Sequence, residues 1–408
     1  MLQSDASYEI LPQRKKGNLM KGSPRTFALA LVVSLGAHAA LAEDGVSDKV
    51  ILFGQVAALQ GPARDLGQGM RGGILAAFSE VNRSGGIAGR SLQLKSLDDG
   101  YEPEKTVEAT KQIIQEDKVF AIVGAVGTPT SKAGQPIAAA AKVPFIGPFT
   151  GAEFLRNPYN HYVVNIRASY FQETEAWIEH LTKDLAISKI AILYQDDAFG
   201  LAGLEGVQRA LAKRKMSLVA SGSFLRNTTA VKSALLDIMK AKPEAVVTVA
   251  PYKPVAEFIK LARKLNFDPA FVAISFVGSD SLAKELGSDG AGVIVSQVVP
   301  SPWDSSLPVV AAYQHAIGYL DAKATPGFVS LEGYLVGRLI IDTLKRIGND
   351  PTRENFLNAM PQSPFDLGGV VLRYGIANNQ GSDQVYFTVL QRDGSFKQVA
   401  RLLRVAGQ

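Results

Sequence analysis

Short apolar runs separated by helix-length amphipathic stretches recur along most of this chain, and that alternation restricts its fold more than any other feature. The strand-like runs stand at 50–53, 92–97, 119–123, 143–146, 190–194, 245–249, 271–276 and 293–299. After the first, Met70, Gly73, Ile74, Ala77, Phe78 and Val81 recur at the spacing of one helix face. Such a βαβα order predicts an α/β fold with parallel sheets covered by helices. A helical stretch at 104–116 leading into 119–123 is echoed by one at 230–240 leading into 245–249. Each run then passes into a polar residue and a proline, Gly127-Thr128-Pro129 and Tyr252-Lys253-Pro254, with the proline expected at the first helical position. Two similar lobes facing each other account for the echo. Ligand crevices in open parallel sheets lie at the carboxyl ends of strands, so these two loops are expected on opposite walls of one cleft.

The N-terminus reads as an export signal. Lys21 and Arg25 precede the apolar run Phe27 to Leu35, and Ala40-Leu41-Ala42 supplies an A-x-A cleavage site, so cleavage is expected after Ala42 and 1–42 is set aside as leader. Met20, directly before Lys21, is a second candidate start. The apolar run is too short to cross a bilayer and no later stretch qualifies, which predicts no membrane anchor. The leader also explains the apparent basicity. It holds Arg14, Lys15, Lys16, Lys21 and Arg25 against Asp5 and Glu9, so the formal charge of +5 falls to +2 without it. That balance predicts no nucleic-acid or other polyanion partner. The chain has no cysteine, which excludes disulfides, thiol catalysis and a lipid-modified cysteine, and the product is expected to be soluble. The chain beyond residue 42 exceeds the span of one ordinary core, so two domains are expected.

Several motifs invite chemistry that their setting does not support. Gly67-x-Gly69-x-x-Gly72, with Asp98-Asp99 further on, has the letters of a dinucleotide fingerprint. The glycines should form the tight turn directly off the strand, yet a loop containing Pro62 intervenes, and close helix packing explains them better. No G-x-S-x-G occurs, and His161, His180 and His315 stand in no metal-ligand spacing, so neither a catalytic residue nor a metal or other cofactor is expected. Asp196-Asp197, at the start of a helix, reads as a pair of ordinary dipole partners. Thr128-Pro129-Thr130-Ser131 is more informative. With Thr128 as cap, the free amides of Thr130 and Ser131 beside two hydroxyls would make a carboxylate site. Thr150-Gly151-Ala152 adds a second hydroxyl and a glycine that a ligand could approach closely.

Taken in order, the segments resemble one family. Ala58-Leu59-Gln60-Gly61-Pro62, Val81-Asn82-Arg83-Ser84-Gly85-Gly86-Ile87-Ala88-Gly89-Arg90, Asp98-Asp99, and Val123-Gly124-Ala125-Val126-Gly127-Thr128-Pro129-Thr130 are followed by Tyr194-Gln195-Asp196-Asp197-Ala198-Phe199-Gly200 and Phe258-Ile259-Lys260-Leu261-Ala262-Arg263. Together they are similar to the type I periplasmic solute-binding proteins of ABC importers, of the branched-chain amino acid type, over nearly the whole chain after the leader. The resemblance implies two Rossmann-like lobes joined by three crossovers, lobe 1 at 43–166 plus 300–380 and lobe 2 at 167–299 plus 381–408. It also implies a ligand carboxylate held at positions matching Thr128, Thr150 and Gly151, with Phe199 and Tyr252 as aromatic walls. Gln60, Thr130, Ser275 and Phe276 complete the expected ligand-binding set. One departure stands out. Amino-acid binders carry a carboxylate after the strand matching 271–276 to receive the ligand's ammonium, and the aligned residue here is Ser275. A desolvated ammonium needs such a partner. Unless Asp98, Asp197 or Asp280 substitutes, the pocket favours an aromatic or aliphatic acid, with Phe199 and Phe276 as apolar surface.

The expected function is therefore a monomeric, non-enzymatic periplasmic receptor that captures a small carboxylate and presents its closed form to an ABC-type permease. A sensor handing the same closed form to a membrane signalling protein is the alternative. A hydrolase is disfavoured, since no nucleophile and base pair is in sight.

Overall fold

The computed structural model describes residues 43–403. The leader, its cleavage site and the candidate start at Met20 lie outside the described residues. Among the described residues, no helix is long and apolar enough to cross a membrane.

Five strands, β1 (Val50–Ala57), β2 (Ser91–Asp98), β3 (Ile122–Val123), β4 (Phe145–Ile146) and β5 (Val163–Val164), form a wholly parallel sheet in the order β2-β1-β3-β4-β5. A second set, β6 (Ile190–Gln195), β7 (Ala220–Phe224), β8 (Ala245–Val249), β9 (Ala270–Ala273) and β10 (Ile294–Gln297), forms the parallel part of another sheet. After a small hairpin, β11 (Phe365–Asp366) with β12 (Val371–Leu372), the antiparallel strands β13 (Tyr386–Leu390) and β14 (Phe396–Val399) extend that sheet to the order β14-β13-β10-β9-β8-β6-β7. Central strands such as β8 are buried at every position, as a sheet covered on both faces requires. Edge strand β7, Ala-Ser-Gly-Ser-Phe, is half exposed and lacks the apolar run that marks the others, so its composition does not announce a strand.

The helices are α1 (Arg64–Arg83), α2 (Pro103–Gln115), α3 (Thr128–Ala140), α4 (Tyr170–Lys183), α5 (Ala198–Ala212), α6 (Lys232–Lys240), α7 (Tyr252–Lys264), α8 (Ser279–Leu286), α9 (Pro308–Leu320), α10 (Phe328–Ile347) and α11 (Arg353–Asn358). The apolar face read from the sequence, Met70 to Val81, is the buried face of α1. It packs on α10 at backbone distance: a Cβ on Gly73 would lie 1.9 Å from the Ser330 carbonyl, and one on Gly333 would lie 2.3 Å from the Met70 carbonyl. Gly67 similarly faces the Ala58 carbonyl. Close packing of the chain on itself therefore occupies the space before these glycines.

Two runs are shorter strands than their composition suggests. In 119–123 only Ile122–Val123 form regular strand: the Phe120 amide still reaches Leu52 in β1, but the Arg353 guanidinium takes the carbonyls of Val119 (2.8 Å) and Phe120 (2.9 Å). The run 271–276 stops pairing at Ala273. The Ser275 amide turns away to the Glu173 carboxylate (3.0 Å), and Ser275–Val277 form a short 3-10 turn.

The chain passes between the sheets three times. It leaves β5 through Asn165, Ile166 and Arg167, returns after β10 through Val298, Val299 and Pro300, and crosses again before β13. The first and third crossings are stitched side by side, with Asn165 N–H donating to Asn379 O and Gly381 N–H to Asn165 O, each at 2.8 Å.

Candidate functional site

In each sheet the strand order reverses beside one strand, between β1 and β3 in the first sheet and between β6 and β8 in the second. Loops diverge at such a point and leave a crevice at the carboxyl ends of the strands. Here the two crevices face one another, and side chains from both meet in one buried cluster.

The first wall is built on α3. Its N-cap is Gly127, at φ 104, where a Cβ would lie 2.2 Å from the Tyr101 ring. Thr128 is therefore the first helical residue rather than the cap, and Pro129 follows at the second position. In the other loop Pro251 caps α7, so Pro254 likewise stands beyond the first position. The freed Thr128 hydroxyl meets the Thr150 hydroxyl at 2.6 Å. Thr130 turns its hydroxyl back to the carbonyls of Val126 and Gly127, and the Ser131 amide bonds the Gly127 carbonyl at 3.0 Å. The cap role expected of Thr128 thus falls to Gly127, the Ser131 amide is turned into the helix, and the hydroxyls of Thr128 and Thr150 meet each other. Tyr170, at the first turn of α4, brings its phenol beside both hydroxyls, and burial holds it at a pKa of about 12. A Cβ on Gly151 would lie 2.5 Å from that ring, so the group approaching Gly151 is Tyr170.

Aromatic rings from both walls enclose this point. Phe276 packs on Phe199 (4.5 Å between centroids), Phe149 (5.3 Å) and Tyr101 (6.0 Å), and Phe199 packs on Tyr170 (5.6 Å). All five are buried. Tyr252 is buried further along the junction, its phenol facing Asp65 and pushed up to about 12, mainly by burial. Asp65 also accepts a bond from Ser281 (2.8 Å) across the two walls. Gln60 is different. Its side chain is exposed, and only its amide is engaged, with Asp98 at 3.0 Å.

Ser275 lies in a buried ionic network that its sequence setting does not reveal. Its amide and hydroxyl both donate to Glu173, which also accepts from Ser296 (2.6 Å), while its Oγ accepts from Arg167. Arg167 lies 3.8 Å from Glu173 and 3.5 Å from Glu332, with all three side chains essentially inaccessible. Burial lifts Glu332 to about 7 despite the neighbouring Arg167. At the mouth of the junction, Arg226 bonds both Glu102 (2.8 Å) and Asp197 (3.0 Å), Asn227 bonds Glu102 (2.7 Å), and Gln195 reaches the Tyr101 phenol (3.3 Å). Asp197 caps α5 through the Phe199 amide (2.9 Å), as an acidic residue at a helix N-terminus should. These bonds hold the two walls in contact. Arg167 and Glu332 left one trace in the sequence, the single charge inside a mostly apolar stretch, at Val163 to Ala168 and at Phe328 to Val336.

A cavity of about 800 Å³ runs along the crossovers and includes Arg156, Gln172, Pro300, Arg373 and Gln380. It shares no residue with the expected ligand-binding set. Among the described residues, no group of three or more His, Cys, Asp or Glu side chains is placed to hold a metal ion.

The geometry agrees with comparisons to known proteins. A family model described as "Periplasmic binding protein" matches residues 50–395. A Leu/Ile/Val-binding protein homolog 7 of Brucella suis is 22% identical over 386 residues, covering 89% of this chain and 94% of that protein. The crystal structure of a possible leucine/isoleucine/valine-binding protein from Rhodopirellula baltica superimposes with a TM-score of 0.83 at 38% identity, covering 88% of this chain and 98% of the other. A substrate-binding periplasmic protein from Ralstonia solanacearum matches with a TM-score of 0.80 at 27% identity, over 85% and 99% of the two chains.

Proposed function

The chain belongs to the periplasmic binding protein family, and on that premise we propose that it captures a small carboxylate-bearing solute, an amino acid or an organic or aromatic acid, for an ABC-type importer. The solute sits between lobe 1, 43–166 with 300–380, and lobe 2, 167–299 with 381–408. Closure is a population shift: a solute that touches both lobes only when they meet stabilises the closed form, which the permease then recognises.

One observation carries this reading. The hydroxyls of Thr128 and Thr150 meet at 2.6 Å, beside the Tyr170 phenol, at a buried point walled by Phe149, Phe199 and Phe276. Three O–H groups converging in an apolar enclosure suit the two oxygens of a carboxylate, while the rings suit an apolar body. A thermal-shift screen of the purified protein against amino acids, aliphatic acids, aromatic acids and dicarboxylates tests the proposal. A bound solute at about 100 times its dissociation constant adds about 2.7 kcal/mol of stability, a rise of several degrees in Tm. If no carboxylate raises the Tm, the proposal is wrong.

A further inference from the structure

We propose that Arg167 reads the charge of the solute, and that the preferred solute is a monocarboxylate with an apolar or aromatic body and no ammonium group. This rests on the capture of a carboxylate in the cleft argued above and assigns the residue that selects its chemical class.

The Arg167 side chain is wholly buried, yet its donors are not all engaged. Nη2 donates to Ser275 Oγ. Nε lies 3.5 Å from Glu332 Oε1 without forming a hydrogen bond, and Nη1 has no hydrogen-bond partner. A buried charged donor left unpaired is costly, and such groups are retained where something else uses them. The guanidinium lies over the Phe149 ring, its carbon 4.8 Å from the centroid, and that ring packs against Phe276. Phe149 immediately precedes Thr150, and the Tyr170 phenol beside the Thr128 and Thr150 hydroxyls feels the Arg167 charge. Cation, hydroxyls and rings therefore border the same enclosure, and a guanidinium fork matches a carboxylate in geometry as well as charge.

Three of the acids around the enclosure are already committed to hydrogen bonds. Glu173 accepts three hydrogen bonds from Ser275 and Ser296. Asp99 accepts from the Tyr101 amide and the Thr106 hydroxyl, and Asp197 from Arg226, Gln195 and the Phe199 amide. Glu332 is the remaining counter-charge: its Oε1 has no hydrogen-bond partner and lies 3.5 Å from Arg167 Nε, and burial lifts its pKa to about 7. A second guanidinium, Arg156, donates to the Arg167 carbonyl at 3.1 Å. An anion thus finds unpaired guanidinium donors, whereas the one acid here without a hydrogen bond, Glu332, already stands in an ion pair with Arg167.

Calorimetric titration of the full chain with pairs differing only in the ammonium tests this: 4-methylpentanoate against leucine, 3-phenylpropanoate against phenylalanine, and each acid against its amide. The expected result is that each acid binds at least about tenfold more tightly than its amino acid and its amide. Arg167→Met should weaken the acids about a hundredfold while leaving the weaker amide binding nearly unchanged, so that the preference for acid over amide collapses. Arg167→Lys should restore part of that preference. Tighter binding of leucine or phenylalanine than of the deaminated acids overturns the inference and leaves carboxylate capture standing, as does an Arg167→Met variant that loses acid and amide binding equally. Binding of no acid and no amino acid overturns both. The comparison in the unaltered protein needs no variant to fold.

Discussion

Asp99 shows how residues at the cleft are tuned by burial. Its carboxyl is held at about 6 instead of the ordinary 3.8, first by burial, although bonds from the Tyr101 amide and Thr106 work the other way. Because its folded-state pKa is raised, the folded chain binds this proton more tightly than the unfolded one. The residue is neutral in its effect below about 3.8, and it lowers stability progressively as pH rises to about 6. The full cost, on the order of 3 kcal/mol, is present above that pH. Asp280, also raised to about 6 by burial, and Glu332 act with the same sign. In denaturant unfolding from pH 4 to 7, Asp99→Asn should gain stability relative to the unaltered protein as pH rises, by up to about 3 kcal/mol, since Asn can still accept from Tyr101 and donate to Thr106 but carries no charge. Parallel profiles for the two proteins would contradict this origin. Legibility at the residue scale was uneven. Thr128 and Thr150 stand on strand-end loops that this fold order turns toward a crevice, and Phe199 and Phe276 entered through the family resemblance. Arg167, Glu173 and Glu332 could not be joined to them, because their contacts span 102 residues or more of chain for Ser275 with Glu173 and 165 for Arg167 with Glu332, and neither periodicity nor spacing encodes such a meeting.

Elements were legible where composition and partner agree. The helix at α1 was evident because its apolar face recurs at helical spacing, and β6 and β8 because a strand buried on both faces is apolar throughout. Boundaries failed where a distant side chain takes groups from the ladder, as Arg353 does at Val119 and Phe120 and Glu173 does at Ser275. The α1–α10 crossing yields a sharp prediction. Gly73→Ala places a methyl 1.9 Å from the Ser330 carbonyl and 2.5 Å from the Tyr334 amide, so the helices must separate. Overpacking of this kind costs about 1–3 kcal/mol and more where backbone must shift. Gly72, also in α1 but with open space before it, serves as the control: Gly72→Ala should be neutral or slightly stabilising, as expected for alanine in a helix. Chemical denaturation of the two variants checks the pair, and equal stabilities would contradict the packing assigned to this crossing.

At the scale of the whole molecule, the parallel sheets and the three passages between them follow from the βαβα order and from the resemblance drawn from it. The contact between the walls was not legible, because segments 48 to 216 residues apart supply it: Arg226 and Asn227 on Glu102, Asp65 on Ser281, and Asp280 on the Phe328 amide at the start of α10. The central claim is that the enclosure these contacts complete holds a carboxylate at the Thr128 and Thr150 hydroxyls. Replacing both threonines by valine removes both members of their shared hydrogen bond and also the Thr150 hydroxyl that accepts from the Ala152 amide at 3.3 Å, a loss of about 1 kcal/mol. The decisive measurement is a calorimetric titration of the unaltered protein and of the Thr128→Val, Thr150→Val double variant with the carboxylate that stabilises the protein most. The prediction is one equivalent bound by the unaltered protein and an affinity about a hundredfold weaker in the variant, with Tm lowered by only a few degrees. Equal affinity in the two proteins would contradict it.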